Sequence, residues 1–112
     1  MAQIVQSNGN AVSIAGDVAD EAYARALVGL AKQHFGGLAG AFNNAGITGD
    51  LSSLPDMESD NWHKVVSVNL NSGFYAAKFQ VPALRKRGCG SIVFTCSFVG
   101  HSVGLPGFVA YA

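Results

Sequence analysis

Three short apolar runs separated by two helical stretches constrain this chain more than anything else in it. The runs are "AVSIAGDV" (Ala11 to Val18), "LAGAFNNAG" (Leu38 to Gly46) and "SIVFTC" (Ser91 to Cys96). Each is short, apolar and bordered by turn residues, which reads as a buried strand. Between the first two lies "ADEAYARALVGLAKQHFGG". Asp20 suits an N-cap, Glu21 suits the positive end of a helix, and Gly36-Gly37 is a stop. Ala22, Ala26, Leu27, Leu30 and Ala31 recur at helical spacing and predict its apolar face. A second, longer helix is predicted from Ser59, Asp60 or Asn61 to about Arg87. Its expected inner face is Trp62, Val65, Val66, Asn69, Leu70, Gly73, Ala76, Ala77, Val81 and Leu84, ending at Gly88 or Gly90. Strands alternating with helices make βαβ units and therefore a parallel sheet.

Smaller signals refine that frame. Asn8-Gly9-Asn10 is a turn. Pro82 inside the long helix predicts a bend or a loosened turn. Gly73, Ala76 and Ala77 leave room for another helix to approach. "ITGDLSSLPDMES" is loop chemistry. One α/β domain over residues 1–112 accounts for the whole chain.

Charge excludes several partners. Seven Lys and Arg balance seven Asp and Glu, so the net charge is zero. This gives no electrostatic case for nucleic acid or an anionic membrane. The cluster Arg85-Lys86-Arg87 falls where a helix dipole favours cations. Cys89 and Cys96 form neither a disulfide framework nor a metal-ligand pattern, and are expected as buried or half-buried thiols. A reducing cytoplasm is consistent with that. The N-terminus has no signal-peptide pattern, and no run approaches the length of a membrane span.

In parallel α/β sheets, ligands bind beyond the carboxyl ends of the strands. There the sequence puts Asp17, Asn43, Asn44, Gly46 and Ser97. Asp17 is a turn or cap residue, or an acceptor for a ligand's amino or hydroxyl group. The asparagines of "NNAG" can tie neighbouring strands together, and Gly46 allows a close approach. Asn69, an amide on an apolar helix face, needs partners. It satisfies a break in the helix or holds a water for proton transfer. Ser97 and Tyr111 could form a general-acid pair, for which the phenol needs a nearby cation.

"GDV", "FNNAG", "VNL" within the long helix, "SIVFTCS" and "GFVAYA" occur in that order. Together they resemble the middle of a short-chain dehydrogenase/reductase, from about Ala11 to Ala112. The resemblance implies part of a Rossmann-like, doubly wound parallel sheet that binds NAD or NADP. It implies hydride transfer between nicotinamide and the carbon of a small carbonyl or secondary alcohol substrate. It assigns Asp17 and Val18 to the adenine ring, and Asn44, Ala45 and Gly46 to the adenosine ribose. Tyr111 becomes the acid/base, Ser97 holds the substrate oxygen, and Asn69 holds a water of the proton relay. Helix 61–87 becomes a surface for pairing with a second copy. An alternative is a non-catalytic α/β module that associates through that helix.

The chain departs from the family pattern in ways that set further expectations. The glycine-rich phosphate turn and the first two strands are expected ahead of it. The lysine one helical turn past the tyrosine is expected beyond Ala112, so the chain alone is expected to be inactive. The interval from Ser97 to Tyr111 is one residue longer than usual, with the extra residue expected in "GHSVGLPG". Cys96 stands where many members have a second serine. The strands present would be the third to fifth of the order 3-2-1-4-5-6. Three spacings would put "AVSIAGDV" about 14 Å from the next strand. It is therefore expected to lack a native partner, and the chain to be marginally stable.

Overall fold

Local capping chemistry sets the first long helix. In the computed structural model, which describes residues 2–112, a short helix α1 (Ala2–Gln6) leads into the Asn8 turn. Helix α2 then spans Glu21–Phe35. The Asp20 side chain accepts from the Ala22 N–H at 2.8 Å and so satisfies a donor that helix geometry leaves free. Gly36 ends the helix with φ 77°, a left-handed conformation that glycine adopts without a Cβ penalty.

Strand β1 (Gly40–Asn43) follows. A 3₁₀ turn (Leu54–Asp56) precedes α3 (Ser59–Val66), a π-helical turn (Ser67–Asn71) and α4 (Ser72–Arg87), which run on without a break. Strand β2 (Ser91–Phe94) closes the order. The two strands pair in parallel, Gly40 beside Ser91 through Asn43 beside Phe94. Helix α4 lies against both strands and against α2. Glu21 and Lys78 form an ion pair at 2.6 Å across the two helices, and the Arg25 guanidinium sits 5.2 Å from the Phe79 ring centre. Exposed pairs of this kind contribute about 0–1 kcal/mol each, so apolar contact around Ala24, Val28, Ala83 and Leu84 does more to hold the layer.

Several expectations need correction. Ala11–Val18 is not a buried strand: it pairs with nothing, and Ser13 to Asp17 are exposed. A strand needs a neighbour to take its backbone hydrogen bonds, and the segment has none. The apolar face of α2 is turned. Ala24 and Val28 are buried against the fold, whereas Ala22, Ala26 and Leu27 are exposed. Along the long helix Val65, Gln80, Ala83 and Leu84 are buried, but Trp62, Leu70 and Val81 are exposed. The π turn explains part of this, because an extra residue in one turn rotates every later position. The irregularity sits at Ser67–Asn71 rather than at Pro82, through which α4 continues. Gly73 faces β2, where a Cβ would stand 3.5 Å from the Phe94 ring, an ordinary contact distance. Cys89 and Cys96 are both exposed.

The result is open. The chain exposes 7770 Å², where a closed globule of its mass exposes about 5,800 Å². Its radius of gyration is 16.7 Å, against about 13 Å for a compact chain of this length.

Candidate active site

The carboxyl ends of β1 and β2 point into one region, and side-chain amides fix it there. Asn43 and Gln80 exchange two hydrogen bonds, 3.0 and 2.8 Å, and so tie β1 to α4. Asn44 accepts from the Thr95 hydroxyl at 2.8 Å and ties the end of β1 to the end of β2. Of the "NN" pair, Asn44 therefore ties strand to strand, whereas Asn43 ties its strand to helix α4.

The loop after β1 is held by two asparagines of the long helix. Asn69 accepts from the Ile47 N–H and donates to the Ile47 carbonyl, both at 2.9 Å. Asn61 does the same for Asp50, at 2.9 and 2.8 Å. At about 100° per residue, positions eight apart on an α-helix are roughly 80° out of line. The wider π turn, in which Asn69 lies, takes up part of that offset. Each clamp uses one donor and one acceptor of its amide, so Asn69 keeps one N–H and one lone pair for another partner. Replacing Asn69 with alanine strands both Ile47 groups. The expected cost is about 2–3 kcal/mol in urea denaturation. A loss below about 0.5 kcal/mol would show that the clamp contributes no net stability.

A cavity of about 550 Å³ opens beside this framework. Asn44, Ala45, Gly46, Asn69, Ser97 and Tyr111 all line it, so six of the eight candidate residues share one space. Val18 lies instead on an adjoining cavity of about 320 Å³, which shares Asn44, Ala45 and Asn69 with the first. Asp17 lines neither. Its Oδ1 accepts from the Ala19 N–H at 2.9 Å, and among the described residues its other oxygen has no partner. Ser97 Oγ accepts from the Val99 N–H at 3.1 Å, which leaves its proton free to donate. The Tyr111 ring meets the Phe108 ring edge-on at 5.8 Å. Among the described residues its phenol oxygen makes no hydrogen bond. Among those lining the larger cavity there is no lysine or arginine.

The loop between Ser97 and Tyr111 forms a tight turn. Gly100 N–H donates to the Val103 carbonyl at 2.9 Å, and Val99 and Val103 pair as an isolated bridge. Gly100 has φ 81°, and a Cβ there would fall 2.3 Å from the Ala112 carbonyl oxygen. The turn therefore packs directly on the backbone next to Tyr111. His101, at its tip, also lines the cavity and was not anticipated from the sequence. Nor were Gln80 and Asn61. Their partners lie 37 and 11 residues away, and no local pattern announces them.

The class follows from these observations: an α/β unit with a parallel sheet and polar side chains gathered at its carboxyl edge. Residues 1–112 match the family profile described as short chain dehydrogenase, and the chain belongs to that family. It is 37% identical over 109 residues to the cyclohexanol dehydrogenase of Acinetobacter sp. (strain SE19), covering 97% of this chain and 43% of that protein. It is 32% identical over 109 residues to glucose 1-dehydrogenase 2 of Bacillus subtilis (strain 168), covering 97% and 42%. Among solved structures it resembles a 3-ketoacyl-ACP reductase from Sinorhizobium meliloti 1021, with TM-score 0.92, 34% identity and coverage of 97% and 43%. It also resembles NAD+-bound xylitol dehydrogenase, with TM-score 0.91, 29% identity and coverage of 98% and 42%. The chain thus spans about two fifths of the length of these relatives.

Proposed function

We propose that these 112 residues are one partial NAD(P)-binding unit of an oxidoreductase that interconverts a carbonyl and a secondary alcohol. The observation that carries this reading is the single cavity shared by Asn44–Gly46, Asn69, Ser97 and Tyr111. The residues present suit the adenosine half of a dinucleotide. Asp17 offers an uncommitted carboxylate oxygen and Asn44 an uncommitted amide N–H, on neighbouring loops at the sheet's edge. Asp17 and Val18 would hold the adenine, and Asn44, Ala45 and Gly46 its ribose. When bound, the nicotinamide supplies or takes the hydride.

The chain's own residues handle the oxygen and the proton. Ser97 donates a hydrogen bond to the substrate oxygen and holds it near Tyr111. Tyr111 gives that oxygen a proton in reduction and takes it back in oxidation. Asn69 uses its remaining N–H or lone pair to hold a water that reloads the phenol. A phenol that cycles a proton near neutral pH needs a cation beside it, and the lining residues include no lysine or arginine. The 112-residue chain is therefore proposed to bind without turning over by itself. The exposed thiols accord with a reducing, cytoplasmic setting. No helix of the described residues is long and apolar enough to cross a membrane.

Titration of NADH with the chain tests the reading. Saturable enhancement of nicotinamide fluorescence is the expected result, and its absence at millimolar chain overturns it. Cyclic secondary alcohols are the first substrates to try, given the relative named cyclohexanol dehydrogenase.

A second reading has one observation in its favour. Trp62, Leu70, Phe74 and Val81 of the long helix are 42%, 67%, 62% and 41% exposed. Such a row of apolar side chains suits a partner helix, and a second copy could supply it. Light scattering that shows defined dimers with no response to NADH would favour a non-catalytic interaction module.

A further inference from the structure

We infer that Tyr23 is a positioning residue: it holds the Ile14–Val18 segment in place for the adenine end of the dinucleotide. The inference rests on the adenine-edge reading above and goes beyond it to a residue outside both cavity-edge loops. Its starting point is the missing ladder. Asp17 and Val18 follow a stretch that pairs with no strand. Among the described residues, one hydrogen bond reaches Ala11 to Gly16: the Tyr23 hydroxyl donates to the Ile14 carbonyl at 3.2 Å.

The ring adds a steric lock. A Cβ at Gly16 would fall 2.0 Å from Tyr23 Cδ2 and 2.5 Å from Cε2, so the ring lies flush on the Gly16 backbone. Atoms in van der Waals contact sit well beyond 3 Å, and position 16 therefore accepts no side chain while the ring stays. The ring is itself well anchored. Tyr23 lies in the first turn of α2, which Asp20 caps through Ala22. Its N–H also donates to the Asp20 carbonyl at 3.1 Å. Downstream, Asp17 holds the turn through Ala19 at 2.9 Å, and its carbonyl accepts from the Asp20 N–H at 3.0 Å. The segment that offers Asp17 is thus tied at one end by its own turn and at the other by Tyr23. The same ring lines the smaller cavity together with Val18, Asn44 and Ala45. Sequence spacing gives no sign of this, because a tyrosine in a first helical turn is usually a surface residue.

The test is an amide-resolved NMR titration of the chain with AMP, and separately with nicotinamide mononucleotide. In the wild-type chain, AMP should shift the Gly16, Asp17 and Val18 amides. Tyr23→Phe removes the hydroxyl and keeps the ring, and should weaken AMP about three- to tenfold. Gly16→Ala should weaken AMP more than about tenfold by forcing ring and backbone apart. Neither change should alter the affinity for nicotinamide mononucleotide, which a general loss of structure would lower too. Should Gly16→Ala unfold the chain, Tyr23→Phe with an unchanged circular dichroism spectrum decides. If Asp17→Ala weakens AMP while Tyr23→Phe binds it within twofold of wild type, the inference is overturned and the adenine-edge reading stands. If AMP shifts none of these amides, or Asp17→Ala leaves its affinity unchanged, both are overturned.

Discussion

Replacing Tyr111 with phenylalanine should lower kcat by about 10²–10⁴-fold in any form of the protein that turns over. NADH affinity should stay within twofold. The substitution removes one oxygen. The ring keeps its edge-on contact with Phe108, and the backbone keeps the turn in which the Tyr111 N–H donates to the Phe108 carbonyl at 3.1 Å. The phenol oxygen has no hydrogen-bond partner among the described residues, so its loss strands nothing inside the fold. Stability should therefore be unchanged while the proposed proton donor is gone. Stopped-flow or steady-state rates with a cyclic secondary alcohol, beside a denaturation curve, separate the two. A fall in kcat of less than tenfold would remove Tyr111 from the proton's path.

The second large effect concerns the chain as a folding unit. Heated alone, the 112-residue chain should show no cooperative transition above about 55 °C, within the range of ordinary mesophile domains. Among the described residues Val65 is the one fully buried large side chain, and only Ala24, Val28, Ala83, Leu84 and Val99 join it as buried apolar residues. Burial contributes about 25 cal/mol per Å² of apolar surface, and the exposed surface exceeds that of a closed globule by roughly a third. Backbone ordering still costs about 1–2 kcal/mol per residue. Differential scanning calorimetry with a sharp peak above that temperature would contradict this account. It would show that self-association or the two-stranded layer supplies more than the buried area suggests.

What could be read from the sequence was what neighbours in the chain decide among themselves. Asp20 and Gly36 bound α2 through hydrogen bonds within one turn, and Gly88 ends α4 in the same way. Strands β1 and β2 fell inside their predicted runs. The order of Asn44, Asn69, Ser97 and Tyr111 pointed to one cavity, and they line it together. What could not be read depends on distant partners. Ala11–Val18 has the composition of a strand, and the expectation that it would lack a partner held, but its exposed, unpaired course did not follow from its composition. The predicted inner face of the long helix held at Val65 and Leu84 but not at Leu70 and Val81, which lie in or beyond a π turn (Ser67–Asn71) that leaves no mark in apolar spacing. The Asn43–Gln80 exchange joins a strand to a helix across the fold, and only the packing of α4 on β1 makes it possible.

The two asparagine clamps also determine which changes of length the chain can absorb. Ile47 and Asp50 are each held at two points by a helix whose own spacing is fixed. One residue added between them would force Asn61 or Asn69 to release its hold. One residue removed from the π turn would swing Asn69 about 100° away from Ile47. Beyond Ser52, which pairs with Phe108, the stretch from Ser53 to Glu58 carries no such double tie and can grow or shrink at little cost. Insertions and deletions in related chains should therefore accumulate after Asp50 and stop short of it.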